Sequence, residues 1–314
     1  MNAAQLSLVS LELTGHPYWS PHKQLRCLYA LSNHSERHYR TLSLPKRSGG
    51  MRNIQVPDPL LRQVQRHILR HVLSLLPLSP FATAWRPEYS LRHNVLPHLG
   101  KKQVLKLDIE NFFPSIIFPQ VQQLAFAKTC LPYAATTLLS HLCCYRDRLP
   151  QGAPTSPMLA NLVMRPFDDY IGDWCQQQEI AYTRYGDDMT FSGDFDARRV
   201  KNKVAGFLGE MGMMLNEGKT RLMRRGQQQI VTGIIVNEST PRAPREMRRA
   251  LRQALYYYGK YGASAVPEGF DEQQWLQSLH GKITFILQIH PEDAALQHAR
   301  GILQRQLKAI RSQP

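Results

Sequence analysis

Two β-rich runs, "IAYTRY" (180–185) and "MTFSG" (189–193), are separated only by Gly186, Asp187 and Asp188. Parallel neighbours need a crossover of about a dozen residues or more, so a gap this short leaves an antiparallel hairpin as the one arrangement open to them. The hairpin carries two carboxylates at its tip. Alone, such a doublet is a solvated turn, and its meaning depends on what else the chain brings beside it. Further upstream, "QVLKLDI" (103–109) alternates, with Leu105, Leu107 and Ile109 facing one way and Val104, Lys106 and Asp108 the other. A third carboxylate, Asp108, therefore ends a strand and points off its core side.

Between and around these strands the pattern turns helical. "DPLLRQVQRHILRHVLSLL" (58–76) opens with Asp58 as a candidate N-cap and Pro59 at the first helical position. Leu61, Val64, Ile68, Val72 and Leu76 form its apolar stripe. Arg62, Arg66 and Arg70 lie on another face, which suits either a solvated surface or contact with nucleic acid. A helix is expected after Pro114 in "SIIFPQVQQLAFAKTCL", and a second, "MLANLVMRPFDDYIGDWCQQQ", after the loop "LPQGAPTSP". A helix over about 196–211 leads to "LNEGKTRLM" and a strand pair around "QIVTGIIVN"; from about Thr240 onward three helical segments follow. Strand, helix, helix, hairpin, helix, strand is the order of an α+β lobe whose antiparallel sheet is covered by helices.

Charge adds a partner class. The 314 residues hold 39 Lys and Arg against 24 Asp and Glu, a net charge of +15. Such an excess serves either plain solubility or a polyanion whose counterions it displaces. Cys27, Cys130, Cys143, Cys144 and Cys175 form no C-x-x-C pair and read as reduced thiols. With no apolar run approaching about 18 residues and no basic, apolar leader, the expectation is a soluble cytoplasmic protein without a membrane partner.

Carboxylates about 4 Å apart repel by about 1 kcal/mol in water and about 4 kcal/mol at an effective dielectric of 20. Folding Asp108 against the Asp187–Asp188 tip is therefore costly unless a cation lies between them. Mg2+ prefers hard oxygen ligands, and two such ions would activate a 3'-hydroxyl and stabilise a leaving pyrophosphate.

In order and spacing, "LDIENFFPSI", "LPQGAPTSPMLANL", "YTRYGDDMTFSG", "LNEGKTRLM" and "VTGIIV" resemble the successive palm motifs of reverse transcriptases. "KRSGGMRNIQVPDPLLRQVQRHIL" is similar to their fingers entry. Within the family the chain looks most like bacterial retron enzymes. "NVLPH" (Asn94 to His98) resembles their NAxxH signature, with Val95 in place of alanine, and Val231-Thr232-Gly233 matches their VTG.

This resemblance implies a right-hand polymerase: an N-terminal helical segment (1–45), fingers (46–100), a palm (101–240) with a fingers insertion at about 115–155, and a helical thumb (241–314) on the RNA and primer-template. Asp108, Asp187 and Asp188 would be catalytic and, with the carbonyl of Ile109, would hold two Mg2+ ions. Lys46 or Arg52 would meet the triphosphate, and Gln151 and Gly152 the nucleotide or template. Phe113 would lie under the incoming sugar, where a ring would collide with a ribose 2'-OH, unless it packs in the core as Phe112 does. Lys219 is either the acid that protonates pyrophosphate or a plain helix-end lysine. Asn94, His98, Tyr185, Val231, Thr232, Gly233, Arg245, Arg248, Arg249 and Arg252 are the expected RNA and primer-template contacts. The implied partners are dNTPs, a cognate structured noncoding RNA, its branched msDNA product primed from a guanosine 2'-OH, and an effector acting in antiphage defence. Three alternatives stand: a group II intron-like reverse transcriptase, a scaffold restraining a toxic effector, and the RNA-dependent RNA polymerase that Gly-Asp-Asp suggests. Phe113 and "QGAPTSP" speak against the last.

Overall fold

The computed structural model describes residues 1–45 and 49–311. Tyr39–Pro45 (β1) and Met51–Pro57 (β2) pair antiparallel, with Tyr39 opposite Pro57 and Pro45 opposite Met51. Gln103–Asp108 (β3), Ala181–Tyr185 (β4), Asp188–Gly193 (β5) and Arg221–Arg224 (β6) form a four-stranded sheet in the order β4-β5-β3-β6. Ile230–Val231 (β7) and Ile234–Ile235 (β8) make a small antiparallel pair. The hairpin read from the sequence is thus β4–β5. Its neighbour is β3, which brings the end of the Asp108 strand beside the acid-bearing turn.

Being an inner strand, β3 is buried on both sides: Val104, Leu105, Leu107 and Asp108 are all core, and only Gln103 and Lys106 keep partial exposure. The alternation gave the strand correctly. Its second face, expected to lie off the core, is covered.

Asp58 caps the helix Pro59–His71 as expected, its Oδ1 accepting from the Leu61 N–H at 2.8 Å. Leu61, Val64 and Ile68 are buried. The helix ends five residues sooner than its stripe implied; Leu73, in a 3₁₀ turn, fills the core while Leu76 stays half-buried. The expected helix over 158–178 is two, Ser156–Val163 and Arg165–Gln177. Pro166 cannot donate to the preceding turn, so it sits in the first turn of a new helix. The stretch after Pro114 breaks into short pieces, including a π-helical turn at Val121–Ala125. A helix at Tyr133–Cys143 was not foreseen; its sequence is apolar on most sides and its Thr136-Thr137 pair disfavours helix. The helices Ala3–Ser10 and Pro21–Asn33 occupy the N-terminal segment, and from Tyr39 to Pro45 the chain is strand. Arg245–Tyr261, Glu272–Leu287 and Ala294–Arg311 are the three expected C-terminal helices.

Two compact units result. One comprises Met1–Pro87, Leu105–Phe191 and Phe195–Arg221, the other Glu88–Val104, Ser192–Asp194 and Leu222–Pro314. Phe126, Phe167 and Phe191 lie in the core of the first; Val95, Ile234, Leu276 and Ile283 lie in that of the second. All five cysteines are free thiols. Among the described residues no helix is long and apolar enough to cross a membrane.

Candidate active site

The hairpin turn, the end of β3 and the stretch 214–219 are tied together through backbone. Ile109 N donates to the Asp187 carbonyl at 3.1 Å, Glu110 N to that of Met214 at 2.9 Å, and Asn216 N to that of Asp108 at 2.8 Å. Asp108, only 4% exposed, presents both carboxylate oxygens to Lys219 Nζ at 2.9 Å. Asp188 faces Lys106 Nζ at 3.5 Å.

The electrostatics follow from this crowding. Burial pushes the Asp108 carboxyl above its ordinary value; the Lys219 bond pulls it back, and the charges of Asp187 and Asp188 add to the rise. Asp187 is likewise raised, first by burial and then by Asp188, against its own backbone bond and the charges of Lys219 and Arg52. Burial works against the Lys219 charge, yet the Asp108 bond and the three carboxylates leave its pKa raised, so it stays an ammonium. Asp108 and Asp187, each held up by burial and by neighbouring carboxylates, make a site that gains from added positive charge.

That donor set suits a divalent cation. Asp108 and Asp187 offer hard carboxylate oxygens whose mutual repulsion a cation would relieve. They do not form a ready-made cage: among the described residues, no three His, Cys, Asp or Glu side chains are grouped to hold a metal. A cation there would share Asp108 with the Lys219 ammonium, since each carboxylate oxygen has a second lone pair to offer. Ile109, expected to lend its carbonyl, is fixed beside them by its N–H bond to Asp187.

Behind the turn lies a buried ion pair that the sequence reading did not single out. Arg184 and Asp168 have side chains 0% exposed, with Arg184 Nε 2.8 Å from Asp168 Oδ1 and Nη2 2.6 Å from Oδ2. The Tyr182 hydroxyl donates to Asp168 at 2.8 Å, and Arg184 Nη2 to Asn161 Oδ1 at 3.1 Å. The remaining guanidinium nitrogen, Nη1, donates to the Gly186 carbonyl at 2.9 Å, directly into the acid-bearing turn. The available signal was a lone arginine inside the otherwise uncharged strand "IAYTRY".

Other expected residues fall variously. Arg52 is exposed on β2, near enough to act on Asp187; Lys46 lies outside the described residues. Phe112 is buried and Phe113 is half-exposed. Gln151 and Gly152 lie against β2: Gln55 N donates to the Gln151 carbonyl at 2.9 Å. A Cβ on Gly152, at φ +133°, would stand 2.7 Å from the Gln55 carbonyl oxygen, so this glycine admits a strand. Tyr185 is exposed next to the turn.

Asn94, His98 and Val231, expected at the RNA, are buried within the chain. Asn94 Nδ2 reaches Thr232 Oγ1 at 3.3 Å, and His98 Nδ1 lies 2.7 Å from Ser192 Oγ. Thr232 and Gly233, at φ +46° and +83°, form the β7–β8 turn. Asn94 thus bonds to this turn, whose Gly233 is exposed.

Burial, with Lys101 nearby, pushes the His98 imidazole down to about 3. The unfolded chain takes up this proton near pH 6.5 and the folded one does not, so stability is full above about 6.5 and falls toward pH 3. A loss of about 2 kcal/mol is expected between pH 6.5 and 5 from this group. Urea midpoints at the two pH values check it, with His98→Gln expected to lose that part of the slope.

Arg245, Arg248, Arg249 and Arg252 are exposed. Three of them, Arg245, Arg249 and Arg252, line a groove of about 1080 Å³ with Tyr256 and Tyr257. Tyr258 turns inward and donates to Glu272 at 2.8 Å.

An antiparallel sheet with a buried strand-end acid beside an acid-tipped hairpin, in a mixed helix-and-sheet fold, is the palm of a nucleic-acid polymerase. Residues 44–249 match the family described as "Reverse transcriptase (RNA-dependent DNA polymerase)", and the chain belongs to it. It is 36% identical over 279 residues to the Retron Mx65 reverse transcriptase of Myxococcus xanthus, covering 82% of this chain and 63% of that protein. With the Retron Ec86 reverse transcriptase of Escherichia coli it shares 31% identity, over 66% of this chain and 65% of that one. The chain thus spans a little under two thirds of these relatives. Their names bear out the retron resemblance read from the motifs. A solved telomerase from Candida albicans aligns at 11% identity and TM-score 0.48, over 85% of this chain and 63% of that one.

Proposed function

We propose that this chain is an RNA-directed DNA polymerase of the retron type. It copies part of a cognate structured noncoding RNA into branched msDNA, starting from a guanosine 2'-OH, and serves with an effector in antiphage defence in the cytoplasm. The observation that carries the polymerase reading is the placement of Asp108 and Asp187 side by side, with Lys219 bonded to one and the Arg52 charge acting on the other. The retron reading is supported by the relatives and by the paired Asn94–Thr232 signatures.

Reverse transcriptases use divalent metal ions; here two Mg2+ would be held by Asp108, Asp187 and Asp188. Such ions would make the attacking hydroxyl easier to deprotonate and would offset the negative charge on the leaving group. This chain's own residues do the rest. Arg52 draws in the triphosphate, and Phe113 closes off the space a ribose 2'-OH would need. Lys219, kept protonated by its neighbours, is placed to give a proton to the departing pyrophosphate. Arg245, Arg249 and Arg252 take phosphates, and Tyr256 and Tyr257 offer rings on which bases stack.

Purified protein with its copurified RNA should incorporate dNTPs in the presence of Mg2+. The DNA should remain joined to RNA through a bond that a 2'-debranching nuclease cleaves. Synthesis from rNTPs alone would end the DNA polymerase reading; free, unbranched DNA would leave the polymerase and remove its retron type.

A further inference from the structure

Trp85 holds a backbone conformation that bulky side chains avoid, with φ +55°. The residues just before it are hydrogen-bonded to two other elements. Thr83 N donates to the Arg184 carbonyl and Arg184 N to that of Phe81, both at 2.8 Å, while Asn161 Nδ2 donates to the Ala84 carbonyl at 2.8 Å. The turn carrying Trp85 is thereby fixed to β4, the first strand of the catalytic hairpin.

The strain aims the indole at two things. A Cβ built on Gly186 would come within 2.8 Å of Trp85 Cη2, so the ring lies on the catalytic turn itself. Its centroid is also 5.7 Å from that of Phe113, with the planes tilted by 43°. Phe112, which is buried, lies 5.4 Å from Phe113. Trp85 itself remains 44% exposed. A tryptophan that served only the core would be more deeply covered, and strain in such a place points to function.

We propose that Trp85 is a specificity-determining positioning residue for the sugar of the incoming nucleotide. The indole backs Phe113, so the phenyl ring cannot withdraw from the position a 2'-hydroxyl would enter. This rests on the polymerase reading above, with Phe113 as the group that meets the sugar. Rejecting a single hydroxyl by shape needs a wall that does not yield, and an unsupported phenyl turns about its side-chain bonds. The glycine of Gly-Asp-Asp belongs to the same device: at φ +69°, with the indole in contact, position 186 accepts no side chain unless the ring moves.

Single-nucleotide incorporation on an RNA template tests this, with each dNTP compared with its rNTP in wild type, W85A, W85F, F113A and G186A. W85A is expected to lower the dNTP-to-rNTP ratio of kcat/KM about tenfold, mainly through a lower KM for rNTP. W85F should recover most of the discrimination, and G186A should shift it in the direction of W85A. Should W85A melt below the assay temperature, W85L, which keeps apolar bulk without the indole, carries the same expectation. A ratio unchanged in W85A (or W85L) while F113A lowers it would overturn the proposal, leaving Trp85 a packing residue. A ratio unchanged in F113A overturns the gate and the proposal with it. Wild-type protein that incorporates no dNTP overturns the polymerase reading instead.

Discussion

Replacing Asp187 with asparagine is expected to reduce RNA-templated DNA synthesis by about a thousandfold or more, because it removes a carboxylate from the point where charge develops in the reaction. The same change should leave the fold intact or slightly firmer. Asp187 is held above its ordinary pKa by burial and by Asp188, and it raises Asp108 in turn. Removing one charge from such a group relieves repulsion, and asparagine keeps the shape. Sites that place like charges together commonly trade stability for activity in this way. Primer extension and thermal melting on one preparation measure both halves. Synthesis within tenfold of wild type would show that Asp187 does not take part, whatever the melting point does.

The acid-bearing hairpin was legible because chain connectivity and β-propensity agree there. So was the Asp58 cap, since capping is decided within four residues. The helix break at Pro166 was equally local but was overridden by apolar spacing that runs on through it. Arg184 was harder to read: what places it is Asp168, sixteen residues away on a helix, and no periodicity couples the two. The glycine of Gly-Asp-Asp, which by itself leans toward RNA polymerases, has a packing reason in Trp85, about a hundred residues upstream. The Asn94 and Val231-Thr232-Gly233 signatures were found as motifs, but the bond between Asn94 and Thr232 spans 138 residues of sequence and no periodicity announces it.

Substituting Arg184 with methionine is expected to destabilise the protein by about 3–5 kcal/mol, since it leaves Asp168 buried without its cation. Neither partner is exposed, so solvent does not screen the loss. A second change separates charge from packing. Arg184→Met with Asp168→Leu removes both charges and should regain most of the lost stability, because an apolar pair of similar volume often matches a buried ion pair. Activity should not return with it: the double variant still lacks the Nη1 bond that fixes the Gly186 carbonyl 2.9 Å away, and the turn carrying Asp187 is freed. Arg184→Lys marks the middle case, as an ammonium keeps the charge for Asp168 but cannot also span Asn161 and Gly186 with a rigid fork. Denaturant unfolding and primer extension on the three variants should therefore diverge, with the double variant stable yet slow. If stability and synthesis instead recover together, Arg184 acts on the turn only by holding the core, and its bond to Gly186 has no part in aiming the carboxylates.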